Sequence, residues 1–135
     1  MNFAICFLSV LIASGLGYAY GYGEVSATDF KIVNTLGDEI NSPVVEQQLN
    51  LQMSLKNISG QDVDWVYIVQ IIDSKGAIVD LNFATGSLVE NQTLNTALFW
   101  TPHKDGIYKI ETFVWNNLRG IDPLTPKSTF TITVT

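Results

Sequence analysis

Histidine occurs once in this chain of 135 residues, at His103 between Pro102 and Lys104. Catalysis of the Ser/His/Asp kind would have to run through that imidazole, yet its nearest acid, Asp105, is too close in sequence to orient it, and no G-x-S-x-G elbow is present. Cys6 is the only cysteine. Beyond it there is no thiol for a disulfide, a nucleophile or a Cys/His zinc or copper site. Acids cluster twice, as Asp62 and Asp64 around Val63 and as Asp38-Glu39. A calcium ion needs about six or more oxygen ligands at loop spacing, which neither cluster offers. The chemistry-bearing residues therefore read as surface turns, and the chain reads as non-enzymatic, with no cofactor and no metal.

Charge narrows the partners further. Seven Lys and Arg against thirteen Asp and Glu leave a formal net charge of -6, and the seven cations are scattered with no basic stripe to neutralise phosphates. Nucleic acid is not an expected partner. Two N-x-S/T triplets, Asn57-Ile58-Ser59 and Asn91-Gln92-Thr93, lie in polar, turn-rich stretches and make Asn57 and Asn91 candidate glycan acceptors.

No charged side chain precedes Glu24. The apolar run Phe3 to Leu16, closed by "GYAYGYG", has the form of a secretory h-region with small residues at the cleavage positions, and cleavage is expected after Ala19 or Gly21. The rival is an uncleaved hydrophobic helix that anchors the chain, since about 20 apolar residues span a bilayer. Either one places the remainder outside the cell membrane, so a secreted or envelope location is expected. The organisation is then 1–21 leader or anchor, 22–47 a first strand and a loop, and 48–135 the core of the domain.

Past the leader the pattern is that of strands. "DFKIV" (29–33) is a short first one, and "NTLGDEINSPVVEQ" is a loop broken by Gly37, Asn41 and Pro43. "QLNLQMSLKN" alternates, with Leu49, Leu51, Met53 and Leu55 on one side and Gln48, Asn50, Gln52 and Ser54 on the other. "DWVYIVQII" is apolar on both parities and needs cover on both faces. "AIVDLNFATG", "TLNTALFWTP", "IYKIETFVWNN" and "TFTITVT" complete seven segments joined by turn signals. This spacing predicts an all-β chain, an antiparallel two-sheet sandwich of about seven strands. An up-and-down barrel is the alternative, and the long connection after the first strand favours a Greek key.

The step "DGIY", Asp105 to Tyr108, resembles the tyrosine corner of Ig-like sandwiches, in which the phenol hydroxyl ties back to nearby backbone. More widely, "VYIVQIIDSKGAIVDLNFATGSL", "FWTPHKDGIYKIETFVWNNL" and their order resemble the CARDB-like and related Ig-like (fibronectin-III-like) domains of archaeal and bacterial surface proteins, over about Leu49 to Thr135. The resemblance implies a single Ig-like fold with Asp105, Gly106 and Tyr108 at its corner, and an adhesive or surface role. These are structural motifs, which specify a fold better than a function.

Parity then divides the doubly apolar strand. With Trp65, Tyr67, Val69 and Ile71 inward, Val66, Ile68 and Ile72 point out. With Tyr108, Ile110 and Val114 inward on the next-to-last strand, Phe113 and Trp115 join them in one expected apolar patch. Folding back of the loop Leu118 to Pro126, with Ile121 and Leu124, over these residues is the competing expectation. An exposed patch implies an interaction module that binds protein, either a second copy or a surface assembly. A filament subunit donating Glu24 to Val33 as a strand is the second reading, distinguished by whether "DFKIV" pairs in its own sheet. A carbohydrate- or ligand-binding sandwich is the third, resting on Trp115 beside Asn116 and Asn117.

Overall fold

The computed structural model describes residues 23–120 and 122–135; the leader or anchor, Cys6 and Ile121 lie outside the described residues. Seven strands follow in chain order: β1 (Val25–Val33), β2 (Leu49–Asn57), β3 (Val63–Ile72), β4 (Ile78–Leu88), β5 (Thr93–Trp100), β6 (Gly106–Trp115) and β7 (Ser128–Val134). They form a three-stranded sheet ordered β1-β2-β5 and a four-stranded sheet ordered β4-β3-β6-β7, with every pairing antiparallel. Among the described residues there is no helix, so none is long and apolar enough to cross a membrane.

Strict alternation on β2 places Leu49, Leu51, Met53 and Leu55 in the core, where they meet Tyr67, Ile71, Ile110 and Val114 of the facing sheet. Each such side chain, fully buried, contributes about 1.5 to 3 kcal/mol. The sheets are also tied through a polar atom. Tyr67 donates its hydroxyl to the Leu51 carbonyl at 3.1 Å, and burial pushes its phenol pKa well up, because the phenolate would be desolvated.

β1 is longer than the alternation of "DFKIV" suggests. Val25 faces Asn57 and Ala27 faces Leu55, then the register shifts between Thr28 and Lys31, with Asp29 at φ 55. This bulge moves the inward positions from odd to even numbers, to Phe30 and Ile32, which conceals the first half of the strand from a period-two reading.

The turn Asp73 to Ala77 joins β3 to β4. Asp73 Oδ1 accepts the amides of Lys75 and Ala77 at 2.9 Å each, and Gly76 supplies the φ of 86. A second irregularity follows, where Ile72 pairs with Ile78 but Ile71 pairs with Asp80, leaving Val79 as the extra residue. From there β4 runs in unbroken register with β3 to Leu88.

The loop Leu118 to Pro126 does not fold over the outside of the sheet through Leu124. The Leu124 amide donates to the Val114 carbonyl at 2.8 Å, Pro123 bridges to Trp115, and the Leu124 side chain enters the core. This stretch thus extends the edge of β6 in the line of β7.

Candidate interaction face

The registers of β4, β3 and β6 put the outward residues in rows across the four-stranded sheet. One row is Phe83, Ile68, Phe113; the next is Thr85, Val66, Trp115. The Phe113 and Trp115 rings lie 5.8 Å apart at an interplanar angle of 61°, an edge-to-face pair of partly exposed aromatics.

Two residues of the expected patch are not surface. Val66 is 4% exposed and Ile68 is 6% exposed, although neither belongs to the core between the sheets. Both point outward as parity requires, but β3 has a neighbour on each side. Phe83 and Phe113 flank Ile68, and Thr85 and Trp115 flank Val66, so the larger side chains close over the floor between them. Ile72 is partly exposed but stands apart, because the row Leu81, Gln70, Glu111, Thr129 comes between. There Gln70 Nε2 donates to Glu111 Oε1 at 2.9 Å, and Lys127 Nζ reaches Glu111 Oε2 at 3.2 Å. The patch is therefore Phe113, Trp115 and Phe83 over Ile68 and Val66, with a polar border.

Phe83 and Leu81, 51% and 60% exposed, were not in the expected patch. Counting back from the Asp73–Ala77 turn sets Asn82 opposite Ile68; the extra residue Val79 moves Phe83 there instead. A one-residue shift exchanges faces, so this bulge decides which side chains of β4 the surface shows.

Beside the aromatic pair the sheet end and the loop after β6 enclose an open depression of about 810 Å³, whose polar rim includes Asp64, Thr85, Ser87, Asn116, Asn117 and Arg119. Ser87 Oγ donates to Asp64 Oδ1 at 2.6 Å, while Asn117 Oδ1 accepts the Arg119 and Gly120 amides at 2.9 and 2.6 Å. Trp65, pointing inward below, leaves its Nε1 without a hydrogen-bond partner, and its ring occupies the space a side chain on Gly86 would need.

At the corner into β6, Tyr108 donates its hydroxyl to the Lys104 carbonyl at 2.7 Å and packs edge-on against Trp100, with ring centroids 5.0 Å apart. Gly106 takes a φ of 143 in this corner, beside Asp105. Such a φ is open chiefly to glycine.

Asn57 is not a usable glycan acceptor in the folded chain. It is 0% exposed; its Nδ2 donates to the Gln61 and Leu88 carbonyls and its Oδ1 accepts from Ser59. A glycan would have to replace one of those donations inside the protein. Asn91, by contrast, is an exposed turn residue at φ 64.

His103 Nδ1 lies 3.2 Å from each oxygen of Glu46, an exposed pair. Among the described residues no group of three or more His, Cys, Asp or Glu could hold a metal ion. Of the segment read as a strand donor, Val25 to Thr28 and Lys31 to Val33 pair with β2 of the same chain.

No family model matches this chain, and no curated protein matches it in sequence. Its fold is similar to that of the C-terminal domain of wzt, with a TM-score of 0.69 at 16% identity over 86% of this chain and 76% of that one. A CARDB domain from Pyrococcus furiosus, solved in complex with di-metal ions, gives 0.57 at 20% identity over 84% and 91%. A β-glucosidase from Erythrobacter marinus gives 0.60 at 13% identity, over 82% of this chain but 15% of the enzyme. At these identities the likeness is one of fold, and a CARDB-like sandwich is one architecture that fits.

Proposed function

We propose that this chain is a non-enzymatic, Ig-like module of the secreted or cell-envelope kind, which binds a protein partner through the outer face of its four-stranded sheet. The observation that carries this reading is the Phe113–Trp115 pair, held edge to face at the surface beside Phe83. Rigid aromatic side chains on a dry apolar floor are the usual anchors of protein interfaces, since they bury a large area at little entropic cost. The outer side of the three-stranded sheet has Asn50, Gln52, Ser54 and Lys56 along β2, and Phe99 as an exposed aromatic. That asymmetry favours one face.

Photo-crosslinking tests the assignment, with a photoreactive amino acid placed at Trp115 in one sample and at Phe99 in another, in chains expressed in their own cells. Protein adducts from the Trp115 position, absent from the Phe99 position, are expected. Equal yields from both, or none from either, would overturn it.

A second reading, binding of a small polyhydroxylated ligand, is favoured by the depression and its ring of Asp64, Ser87, Asn116 and Asn117. Saccharide titration with wild type and Asn117→Ala separates it from the first. Saturable binding lost in the variant would support it, and the absence of saturation by any sugar tested would remove it.

A further inference from the structure

The edges of the two sheets are β1, β5, β4 and β7. An edge strand carries a row of unpaired amides and carbonyls, which proteins ordinarily blunt with bulges, charge, proline or cover. Blunting is visible on two of them. β1 is broken by its mid-strand bulge and carries Lys31. At the end of β7, Thr135 exchanges hydrogen bonds with Pro43 and Val45, at 3.1 and 3.0 Å, so a crossing segment caps it.

β4 is different. From Asp80 to Leu88 it is in unbroken register with β3, it contains no proline and no lysine, and Asp80 is its single charge. The Phe83 amide donates to the side-chain oxygen of Asn82 at 2.9 Å. In an antiparallel ladder each residue turns its N–H and C=O together toward the partner or away from it, so Phe83, Leu81 and Thr85 direct theirs to the open side. A neighbouring carboxamide stands where a partner strand's carbonyl belongs.

We propose that β4 pairs edge to edge with β4 of a second copy of this chain, antiparallel about a two-fold axis at Phe83, joining two four-stranded sheets into one. The occupant follows from what faces what in that register. Phe83 meets Phe83 and Leu81 meets Thr85 on the outer side; Asn82 meets Ala84 and Asp80 meets Gly86 on the inner side. Off the axis larger residues oppose smaller ones, the two Phe83 rings meet on it, the single charge never faces its own copy, and the outward amides at 81, 83 and 85 find carbonyls. The pairing also gives Phe83 the second neighbour that Ile68 already has, turning the row Phe113, Ile68, Phe83 into one continuous stripe over both copies. This contact stands on the backbone edge of β4 and not on the aromatic face of β6, so either assignment can fail alone.

The test uses the full chain carrying Cys6→Ser, which removes its only native thiol. Light scattering is expected to report a dimer. At the concentration where it does, oxidation should link Phe83→Cys into a disulfide dimer, because facing residues of a hydrogen-bonded antiparallel pair lie about 5.5 Å apart at Cα, within disulfide reach. Ser74→Cys, exposed in the turn, should remain monomeric under the same oxidation. Leu81→Pro deletes one outward donor on each side of the axis and should weaken self-association about thirtyfold with the monomer still folded. Should that proline disturb the strand, Thr85→Lys keeps the backbone and sets a charge against Leu81, with the same loss expected. Trp115→Ser should leave the dimer intact. A monomer at every concentration, or equal cross-linking at positions 83 and 74, would overturn the proposal.

Discussion

Ile68 at the centre of the four-stranded sheet and Phe83 at its edge face the same way, in the same row, in direct register. One is 6% exposed and the other 51%. Neither parity nor hydrophobicity separates them; the number of strands beside each does. An outward side chain on an inner strand is covered by both neighbours, whereas the same position on an edge strand is covered by one. Residues of interest to a partner on this face therefore lie around the buried pair Val66 and Ile68, on β4 and β6.

The strongest way to break that comparison is to charge both positions. Ile68→Lys should destabilise the fold by about 3 to 5 kcal/mol, because an ammonium between Phe83 and Phe113 is desolvated and the Glu111 carboxylate one row away is already engaged by Gln70 and Lys127. Phe83→Lys in the monomer should cost less than about 1 kcal/mol, since its head remains in water. Denaturant melts of the two variants decide it, and equal losses would show that Phe83 is covered as well.

Gly86→Ala sharpens the comparison from the inner side of the same edge strand. A Cβ there would sit 2.6 Å from Trp65 Cζ2, so the ring must move, at a cost of about 1 to 3 kcal/mol. A melt matching wild type would mean that the edge is loose on both sides.

Smaller still is Tyr108→Phe. Loss of the bond to the Lys104 carbonyl should cost about 0.5 to 1.5 kcal/mol, with the ring still packed on Trp100. No measurable change in the urea midpoint would sink the structural weight placed on this corner.

Alkaline titration probes the tie between the two sheets. The Tyr67 phenol is held above its unfolded value of 10.0 by burial, so its contribution is complete below that pH and is lost as pH rises through the folded value. Tyr67→Phe should flatten the fall in stability above about pH 10, the ordinary phenol pKa. An unchanged slope would assign that fall to other groups.

The pattern of residues along the chain determined much of this protein. All seven β segments were legible, because period-two alternation and turn residues such as Asp73 and Gly76 are local signals. The inward parity of Trp65, Tyr67, Val69 and Ile71 was legible for the same reason. The tie of Tyr108 to backbone upstream was implied by the resemblance of "DGIY" to a tyrosine corner, and it is a contact only four residues long.

What tertiary structure alone decided is everything that depends on a neighbour distant in sequence. Val66 and Ile68 are buried by strands on either side, and Asn57 is withdrawn from any glycan by carbonyls as far away as Leu88. The exposure of Phe83 turns on one extra residue, Val79, because a β-strand shows alternate residues to opposite faces and a single insertion exchanges them. Alternation is written in one strand, but the cover over its outer face comes from the strands beside it, and those the linear sequence does not order.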